Sequence, residues 1–305
     1  MKALTRWSAI LSFAIGGALA VPVLNGNLSA SALTEEQVVQ KLRTVPVFTI
    51  AVQQNNQQVP LPLTYEVKKP PANQNTSTPA TTEKVPGIRF FYSQTDAQAF
   101  LADLKKKNPS LPNTAKIMPV PLSRVYQQIQ ETRKKKISLI IDLEPSKQQV
   151  EAAAALLRQQ GQQVDQTKIG TPLFLALGGK DKVPMRIKQD NQEVIPLFFN
   201  KQELQSVVDQ IKKDKPAEAG TIEIVPFLSL ETIIYGWTNA SDAEFDKQVP
   251  FFKELAPLLV LVPSQDALDY ARSVLPQQAP APAGQQQPKA PTGSSGASQL
   301  TPAKK

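Results

Sequence analysis

The 305-residue chain is 41% hydrophobic and 20% charged, an ordinary globular composition with enough length for one large or two medium cores. It contains neither cysteine nor histidine, which excludes disulfides, thiolate nucleophiles, Ser-His-Asp machinery and metal sites built on either residue. The formal net charge is +8, but Lys2, Arg6, Lys289, Lys304 and Lys305 lie in the two ends and leave +3 for the rest, so nucleic-acid binding has little support.

The N-terminal residues 1–32 have the pattern of a secretory signal peptide. Lys2 and Arg6 precede an apolar run from Trp7 to Ala20, and Ala30–Ala32 has the small residues of a cleavage site. The run is too short and too interrupted for a membrane span, although an uncleaved amphipathic anchor is the alternative. We therefore predict export, cleavage near Ala32 and a location in the periplasm, or in the thylakoid lumen, which uses the same kind of signal.

Between the two ends the same pattern occurs twice. Each copy has a strand, its hairpin partner, a strand that opens an amphipathic helix, and two further strand–helix pairs. A capping box is predicted at the start of the first helix of each copy, from Ser93 with Asp96 and from Asn200 with Glu203. The changing offsets between the copies place extra residues in the first copy at 68–86 and in the second copy near 237–250. The matched segments are Val45–Ile50 with Thr171–Ala176 (126 positions apart), Phe91–Ser93 with Phe198–Asn200 and Ile117–Val120 with Ile224–Phe227 (both 107 apart), and Pro145–Ser146 with Pro263–Ser264 (118 apart).

These matches predict an α+β fold. It consists of two similar β-β-β-α-β-α-β-α repeats related by a pseudo-twofold axis around a mixed sheet, their strands forming one continuous or two facing sheets. Repeat 1 spans residues 33–165 and includes a flexible insertion at 68–86, and repeat 2 spans residues 166–275. Residues 276–305 are rich in Pro, Gln, Gly, Ser and Ala, so we predict a disordered tail there.

The sequence offers little for catalysis. It has no S-x-x-K, G-x-S-x-G, P-loop or G-x-G-x-x-G motif. The best carboxylate pair is Asp142 and Glu144, which share one face of a predicted strand, although a polar strand end before a helix is the simpler and favoured explanation. Their counterparts in the second copy are Val260 and Val262. We predict no enzyme, no cofactor and no metal site, with a carboxylate-dependent periplasmic hydrolase as an alternative.

Large apolar residues instead occupy equivalent positions in both copies. Three consecutive large residues on a strand point to both of its faces, so one face packs under a helix and the other needs a second layer or a ligand. Plain core is one reading of these residues. The other is a groove that accepts apolar segments of another chain. The groove candidates are Phe48, Phe90, Phe91, Tyr92, Phe174, Leu197, Phe198, Phe199 and Phe227.

The same segments resemble the family of the twenty-two-kilodalton subunit of the chloroplast inner-envelope protein translocon (Tic), in its cyanobacterial form. The resemblance covers about residues 33–275, and its motifs are VPVFTI at Val45–Ile50, TPLFLAL at Thr171–Leu177, IPLFF at Ile195–Phe199 and IVPFL at Ile224–Leu228. It implies a non-enzymatic, chaperone-like factor without catalytic residues. In a cyanobacterium it implies a periplasmic escort that carries unfolded outer-membrane proteins towards the barrel-assembly machinery.

The partners expected from this resemblance are unfolded or outer-membrane client proteins, and the barrel-assembly machinery is a further candidate. We expect no nucleic acid and no stable membrane span after cleavage of the signal. A structural adaptor that docks one fixed outer-membrane assembly partner is the main alternative, because edge strands of the predicted sheets could add to a partner's sheet. An adaptor binds one folded protein tightly, whereas an escort binds many unfolded proteins weakly.

Overall fold

The computed structural model describes residues 32–69, 81–189, 192–214, 216 and 222–274. The predicted tail and, apart from Ala32, the predicted signal peptide lie outside these residues. The helices are α1 (Glu35–Leu42), α2 (Gln94–Lys107), α3 (Leu122–Lys134), α4 (Lys147–Gln159), α5 (Lys201–Asp214), α6 (Leu230–Thr238), α7 (Ala243–Gln248), α8 (Phe252–Leu255) and α9 (Gln265–Val274). The strands are β1 (Pro46–Gln54), β2 (Gln57–Pro60), β3 (Leu63–Lys69), β4 (Thr81–Phe91), β5 (Lys116–Pro121), β6 (Ile140–Glu144), β7 (Pro172–Gly178), β8 (Val183–Pro184), β9 (Ile187–Gln189), β10 (Gln192–Phe198), β11 (Glu223–Ser229) and β12 (Leu259–Val262).

The strands form two mixed sheets with the same plan, one in each predicted repeat. In the first sheet β5, β1, β4 and β6 lie side by side, and only β4 and β6 are parallel. In the second sheet β11, β7, β10 and β12 follow the same order, and only β10 and β12 are parallel. The short strands β2, β3, β8 and β9 extend the hairpins of the long strands. The predicted duplicated α+β fold is therefore confirmed, with two sheets rather than one continuous sheet.

The pairing register repeats at equivalent positions. Phe48 lies opposite Phe91 across β1 and β4, and Phe174 lies opposite Phe198 across β7 and β10. These residues are related by the sequence offsets of 126 and 107. Because a shift of one residue would turn every side chain to the other face of a strand, the matching register shows that both copies bury the same set of positions.

The last helix of each repeat packs against the sheet of the other repeat. Ala153 of α4 lies in a cluster with Phe174 and other residues of the second repeat, and α4 contacts β7 and β11. Ala267 of α9 lies in a cluster with Phe48 of the first repeat. The ring of Tyr270, also on α9, meets the Phe48 ring edge-on at 5.6 Å between centroids. The repeats therefore exchange their final helices, and neither repeat completes its outer core alone.

A third cluster joins the inner faces of the two sheets. It contains Val47 and Phe90 of the first sheet and Leu173 and Leu197 of the second, with Trp237 of α6. Each buried side chain of this size contributes on the order of 1.5–3 kcal/mol through the hydrophobic effect. Since side chains alternate along a strand, residues next to these four face the outer clusters instead.

The predicted insertion at 68–86 differs from the structure at both of its ends. Strand β3 runs to Lys69 and β4 begins at Thr81, and these two residues are paired. The paired residues on β4 are mostly polar, namely Thr81, Thr82, Glu83 and Lys84. A hairpin with both faces in water needs no apolar alternation, so its sequence pattern resembles that of a loop. Residues 70–80 lie outside the described part of the chain.

Helix α1 and the pair α7–α8 complete the fold. Helix α1 was not predicted, although it has the signature of a capping box, in which Thr34 Oγ1 accepts from Gln37 N–H and Gln37 Oε1 accepts from Thr34 N–H. Helices α7 and α8 account for the extra residues predicted near 237–250 of the second repeat. Within the described residues, no helix has the length and apolar character required to cross a membrane.

Candidate functional site

Most of the predicted groove residues are core residues. Helices α2 and α9 cover the outer face of the first sheet, α5 and α4 cover that of the second, and the inner faces share one cluster. Apart from Tyr92, which borders the cleft described below, these positions therefore line no surface groove, and the prediction is corrected for them. The exposed fractions are 0% for Phe48, Phe174 and Leu197, 2% for Phe90, 3% for Phe91, 5% for Phe198 and 9% for Tyr92.

The two remaining groove candidates reach the surface. Phe199 lines a cleft between the repeats and stacks on the Tyr92 ring at 5.8 Å between centroids. Phe227, near the end of β11, is partly exposed and its ring lies 6.0 Å from that of Phe251. Phe251 directly precedes α8, in the segment that only the second repeat contains.

A further exposed ring, that of Tyr235 on α6, is linked to this region through the ring of Phe245, which contacts that of Phe252. We group Phe227, Tyr235 and Phe251 as the aromatic patch. Tyr235 and Phe251 are 45% and 44% exposed, and among the described residues they are the only exposed aromatic side chains; the others are buried or partly buried. Phe227 connects the patch to the shared core, against which it packs. The patch therefore presents aromatic surface to water on a well-packed support.

The support of the patch depends on rings packed beneath α6. The Phe245 ring contacts the Tyr235 ring at 5.5 Å and the Phe252 ring at 5.2 Å between centroids. Gly236 lies against these rings, since a Cβ there would overlap Phe252 and approach Phe245 to 2.8 Å. The absence of a side chain at this helical position thus allows α7 and α8 to pack closely on α6.

Sequence reasoning missed Tyr235 and Phe251. The repeat offsets did indicate extra residues near 237–250; that range contains Trp237 and Phe245, and Tyr235, Phe251 and Phe252 lie immediately beside it. A dense group of aromatic residues in a segment present in only one repeat is the signal that could have drawn attention to the site. Which of these rings are exposed depends on the packing of α6, α7 and α8.

A polar cleft of about 420 Å³ lies between the repeats, where α2, α4, α5 and α9 begin. It is lined mainly by serine, threonine, asparagine and glutamine side chains, with Tyr92, Phe199 and Tyr270 as its aromatic residues and Asp266 and Asp269 as its acidic ones. Within the described residues, no group of histidine, cysteine and acidic side chains is placed to hold a metal ion. The lining offers hydrogen-bonding groups but no nucleophile beside a base.

The backbone donors around the cleft are used to join the helices. Asp96 of α2 accepts from the N–H of Lys147 at 3.1 Å, and Glu203 of α5 accepts from the N–H of Gln265 at 2.8 Å. Burial raises the pKa of Glu203, and the nearby charges of two aspartates raise it further. Gln149 of repeat 1 accepts from the N–H of Lys201 of repeat 2 at 3.0 Å. The first two bonds each join two helices of one repeat, and the third connects the two repeats across the cleft.

The candidate carboxylate pair is not arranged for acid–base chemistry. Asp142 accepts from Arg89 Nε at 2.7 Å and from the Tyr65 hydroxyl at 3.1 Å. The Arg89 guanidinium also lies over the Phe100 ring at 5.1 Å from the centroid. Asp142 therefore forms a structural ion pair with Arg89. Neither Asp142 nor Glu144 lines the cleft.

Comparison with known proteins agrees with this architecture. The profile of the Tic22-like family matches residues 2–269. The chain belongs to the Tic22-like family. Among solved structures it is similar to Anabaena Tic22, described as a protein of protein transport, with 28% identity and a TM-score of 0.57 over 79% of this chain and 98% of that chain. No curated protein sequence matches the chain.

The fold of this Tic22-like protein also resembles that of Tic22 from Plasmodium falciparum. The two chains are 21% identical and have a TM-score of 0.54, over 76% of this chain and 94% of that chain. At this identity the similarity shows a common fold. The family resemblance inferred from the strand motifs is thus confirmed.

Proposed function

We propose that this Tic22-like protein is a non-enzymatic, chaperone-like factor that binds apolar segments of client polypeptides at the aromatic patch. The observation that carries the proposal is the 44% exposure of Phe251, whose ring contacts Phe227, together with the 45% exposure of Tyr235 on α6. Exposed apolar surface of this kind is typical of protein-binding sites, and aromatic residues dominate the energetics of such sites. Anabaena Tic22, to which the chain is similar, is described as a protein of protein transport.

The small size of the patch determines the kind of binding. Covering the exposed remainder of two aromatic rings contributes on the order of 2–3 kcal/mol, before the entropy of association is subtracted. One patch therefore supports weak and reversible contacts rather than a permanent complex. Weak contact with any segment that carries large apolar side chains suits an escort for many clients.

We also propose that the protein works in the periplasm. The support is the pattern of residues 1–32, with Lys2 and Arg6 before an apolar run and a cleavage motif at Ala30–Ala32. The clients in that compartment are unfolded outer-membrane proteins, delivered towards the barrel-assembly machinery as the family resemblance implies. The thylakoid lumen is reached by the same kind of signal and is the second compartment to examine by fractionation.

The test is suppression of aggregation when an outer-membrane barrel protein is diluted from urea in the presence of the full chain. The matched variants are Phe251→Ser and Val183→Ser, because the wild-type residues are 44% and 43% exposed and only Phe251 belongs to the patch. We expect suppression by the wild type and by the Val183 variant, and a loss of most suppression in the Phe251 variant.

Circular dichroism confirms that both variants are folded before the comparison is made. Equal suppression by both variants would show that the patch is not the binding surface. No suppression by the wild type, together with tight binding of one folded outer-membrane assembly protein, would instead establish the fixed-partner adaptor.

A further inference from the structure

The first sheet ends in the parallel strand β6, whose outer edge is open. In a parallel edge strand, alternate residues direct both their N–H and their C=O away from the sheet. The N–H of Tyr92, which follows β4, donates to the C=O of Glu144 at 3.1 Å, so the backbone groups of Glu144 face β4. The residues that alternate with it, Ile141 and Leu143, therefore direct their backbone groups away from the sheet. Among the described residues, no hydrogen bond reaches the backbone groups of these two residues.

The equivalent edge in the second repeat is covered. Leu259 and Leu261 are the outward-directed residues of β12, and they are 0% and 5% exposed. The Nζ of Lys41 donates to the C=O of Leu259 at 3.0 Å, and the same ammonium group lies 5.0 Å from the centre of the Trp237 ring. Helix α1 contacts β12. A lysine placed over an edge strand is a common way to block further pairing.

In the described part of repeat 1, no element covers β6 in this way. Ile141 stands 118 positions before Leu259, and no described residue donates to its carbonyl as Lys41 does to that of Leu259. Every residue of β6 is partly exposed, whereas β12 is mostly buried. The segment 126 positions after α1 forms a single exposed turn, Gln166–Lys168, which contacts α4. The duplication has thus kept the edge strand and lost the element that covers it.

We propose that the open edge of β6 is a docking site for an extended segment of a client polypeptide, which joins the first sheet as an additional strand. The backbone of the client satisfies the N–H and C=O groups of Ile141 and Leu143, so this contact depends little on client sequence. The inference rests on the proposed function for the presence of unfolded clients. It adds a second site, which recognises the backbone, to the aromatic patch, which recognises apolar side chains.

The two faces beside β6 define the chemistry of the segment. On the inner face, Ile141 and Leu143 pack at the margin of the shared core. On the other face Asp142 is held by Arg89, whereas the Glu144 carboxylate makes no hydrogen bond or ion pair within the described part of the chain. The fitting partner is a strand of alternating apolar and polar residues, with a lysine or arginine opposite Glu144. Such alternation is typical of transmembrane β-strands.

The test compares two synthetic peptides on the full chain. The first alternates valine or isoleucine with threonine and carries one central lysine. The second has the same sequence with an N-methyl group on every residue, which prevents it from donating backbone hydrogen bonds along either edge. Binding is measured by fluorescence anisotropy, and amide hydrogen exchange of Ile141 and Leu143 is followed by NMR. We expect the first peptide to bind at least about tenfold more tightly and to slow exchange of both amides by about tenfold or more, because only it forms the backbone bonds.

A charge exchange tests the orientation of the segment. Glu144→Lys is expected to weaken binding of the lysine peptide by about two- to fivefold, as for a partly exposed ion pair. A peptide with glutamate in place of the lysine is expected to bind this variant better than the wild type by a similar factor. Equal affinities in all four combinations would contradict the proposed placement beside Glu144.

Three results would overturn the docking site. The amides of Ile141 and Leu143 could exchange slowly in the free protein, both peptides could bind equally, or protection could increase with protein concentration as a dimer forms. The last result would show that a second copy occupies the edge. Failure of the proposed function is a separate outcome: Phe251→Ser would then suppress aggregation as well as Val183→Ser does, while the first peptide would still slow exchange of the Ile141 and Leu143 amides.

Discussion

Phe48 and Phe251 illustrate how similar residues take different roles in this fold. Phe48 is 0% exposed and lies under α9, whereas Phe251 is 44% exposed at the start of α8. The sequence predicted large apolar residues at equivalent strand positions, and it predicted Phe48 correctly as a strand residue. It could not predict burial, because the helix that covers Phe48 comes from the other repeat.

This difference predicts opposite effects of two substitutions on stability. Phe48→Ala leaves a cavity in the core and is expected to lower the free energy of unfolding by about 3–5 kcal/mol. Phe251→Ala removes a half-exposed ring and is expected to change it by less than about 1 kcal/mol. Urea unfolding followed by circular dichroism measures both values. Comparable losses for the two variants would contradict the assignment of Phe251 to the surface.

The raised pKa of Glu203 makes the stability of the protein depend on pH. Its folded-state pKa lies above the ordinary value of 4.5 because of burial and the charges of Asp266 and Asp269. The folded state therefore binds the proton more readily than the unfolded state, so this group destabilises the protein above its folded-state pKa. The penalty decreases as the pH falls through that pKa towards 4.5.

The variant Glu203→Gln keeps an oxygen that can accept from Gln265 N–H and removes the charge. We expect its free energy of unfolding to exceed that of the wild type at pH 7, with the difference shrinking as the pH approaches 4.5. Urea unfolding of both proteins across this range gives the difference directly. A difference that is constant with pH, or that grows on acidification, would contradict the raised pKa of Glu203.

At the scale of elements, the helix caps show what local sequence can predict. Ser93 and Asn200 were predicted as capping residues, and each accepts from the N–H of the acidic residue three positions on. The acids Asp96 and Glu203 were expected to complete capping boxes by bonding back to the caps. They bond instead to Lys147 and Gln265 at the starts of α4 and α9, partners that only the tertiary fold brings close.

The exchange of α4 and α9 was beyond sequence reasoning for a related reason. An amphipathic helix shows which of its faces is buried, but its pattern does not identify the sheet that covers that face. Both helices were predicted at the correct places in the chain and in the correct order within each repeat. Their partners follow from the positions of the two sheets.

A double-mutant cycle tests the helix exchange. Phe48→Leu and Tyr270→Leu are expected to be coupled by about 0.5–1.5 kcal/mol, since their rings are in edge-to-face contact across the two repeats. Tyr270→Leu combined with Phe174→Leu is the matched control, because Phe174 belongs to the other outer cluster, and we expect additive effects. Coupling in the control but not in the test pair would contradict the exchange.

At the scale of the whole molecule, the two repeats depend on each other. The shared cluster takes residues from both inner faces, and each outer cluster takes a helix from the other repeat. The sequence predicted the duplication and left open whether the strands form one continuous sheet or two facing sheets, but it did not predict the exchange of helices. In the structure the two repeats share all three core clusters.

This dependence predicts the behaviour of the separate halves. A fragment of residues 33–165 is expected to lack a stable tertiary structure, because it lacks α9 over its sheet and the second sheet against its inner face. The full chain is expected to unfold in a single transition by far-ultraviolet and near-ultraviolet circular dichroism. An independently folded fragment with a sigmoidal urea transition would contradict a single cooperative unit.

Binding of unfolded clients at the aromatic patch is the central claim, and site-specific photo-crosslinking tests it most directly. p-Benzoylphenylalanine replaces Phe251 in one full-length protein and Val183 in another, and each is irradiated with an outer-membrane barrel protein freshly diluted from urea. The two positions are similarly exposed, at 44% and 43%. We predict crosslinks to the unfolded client from position 251, few from position 183, and loss of the crosslinks once the client has folded. Equal crosslinking from the two positions, or none from position 251, would contradict the account.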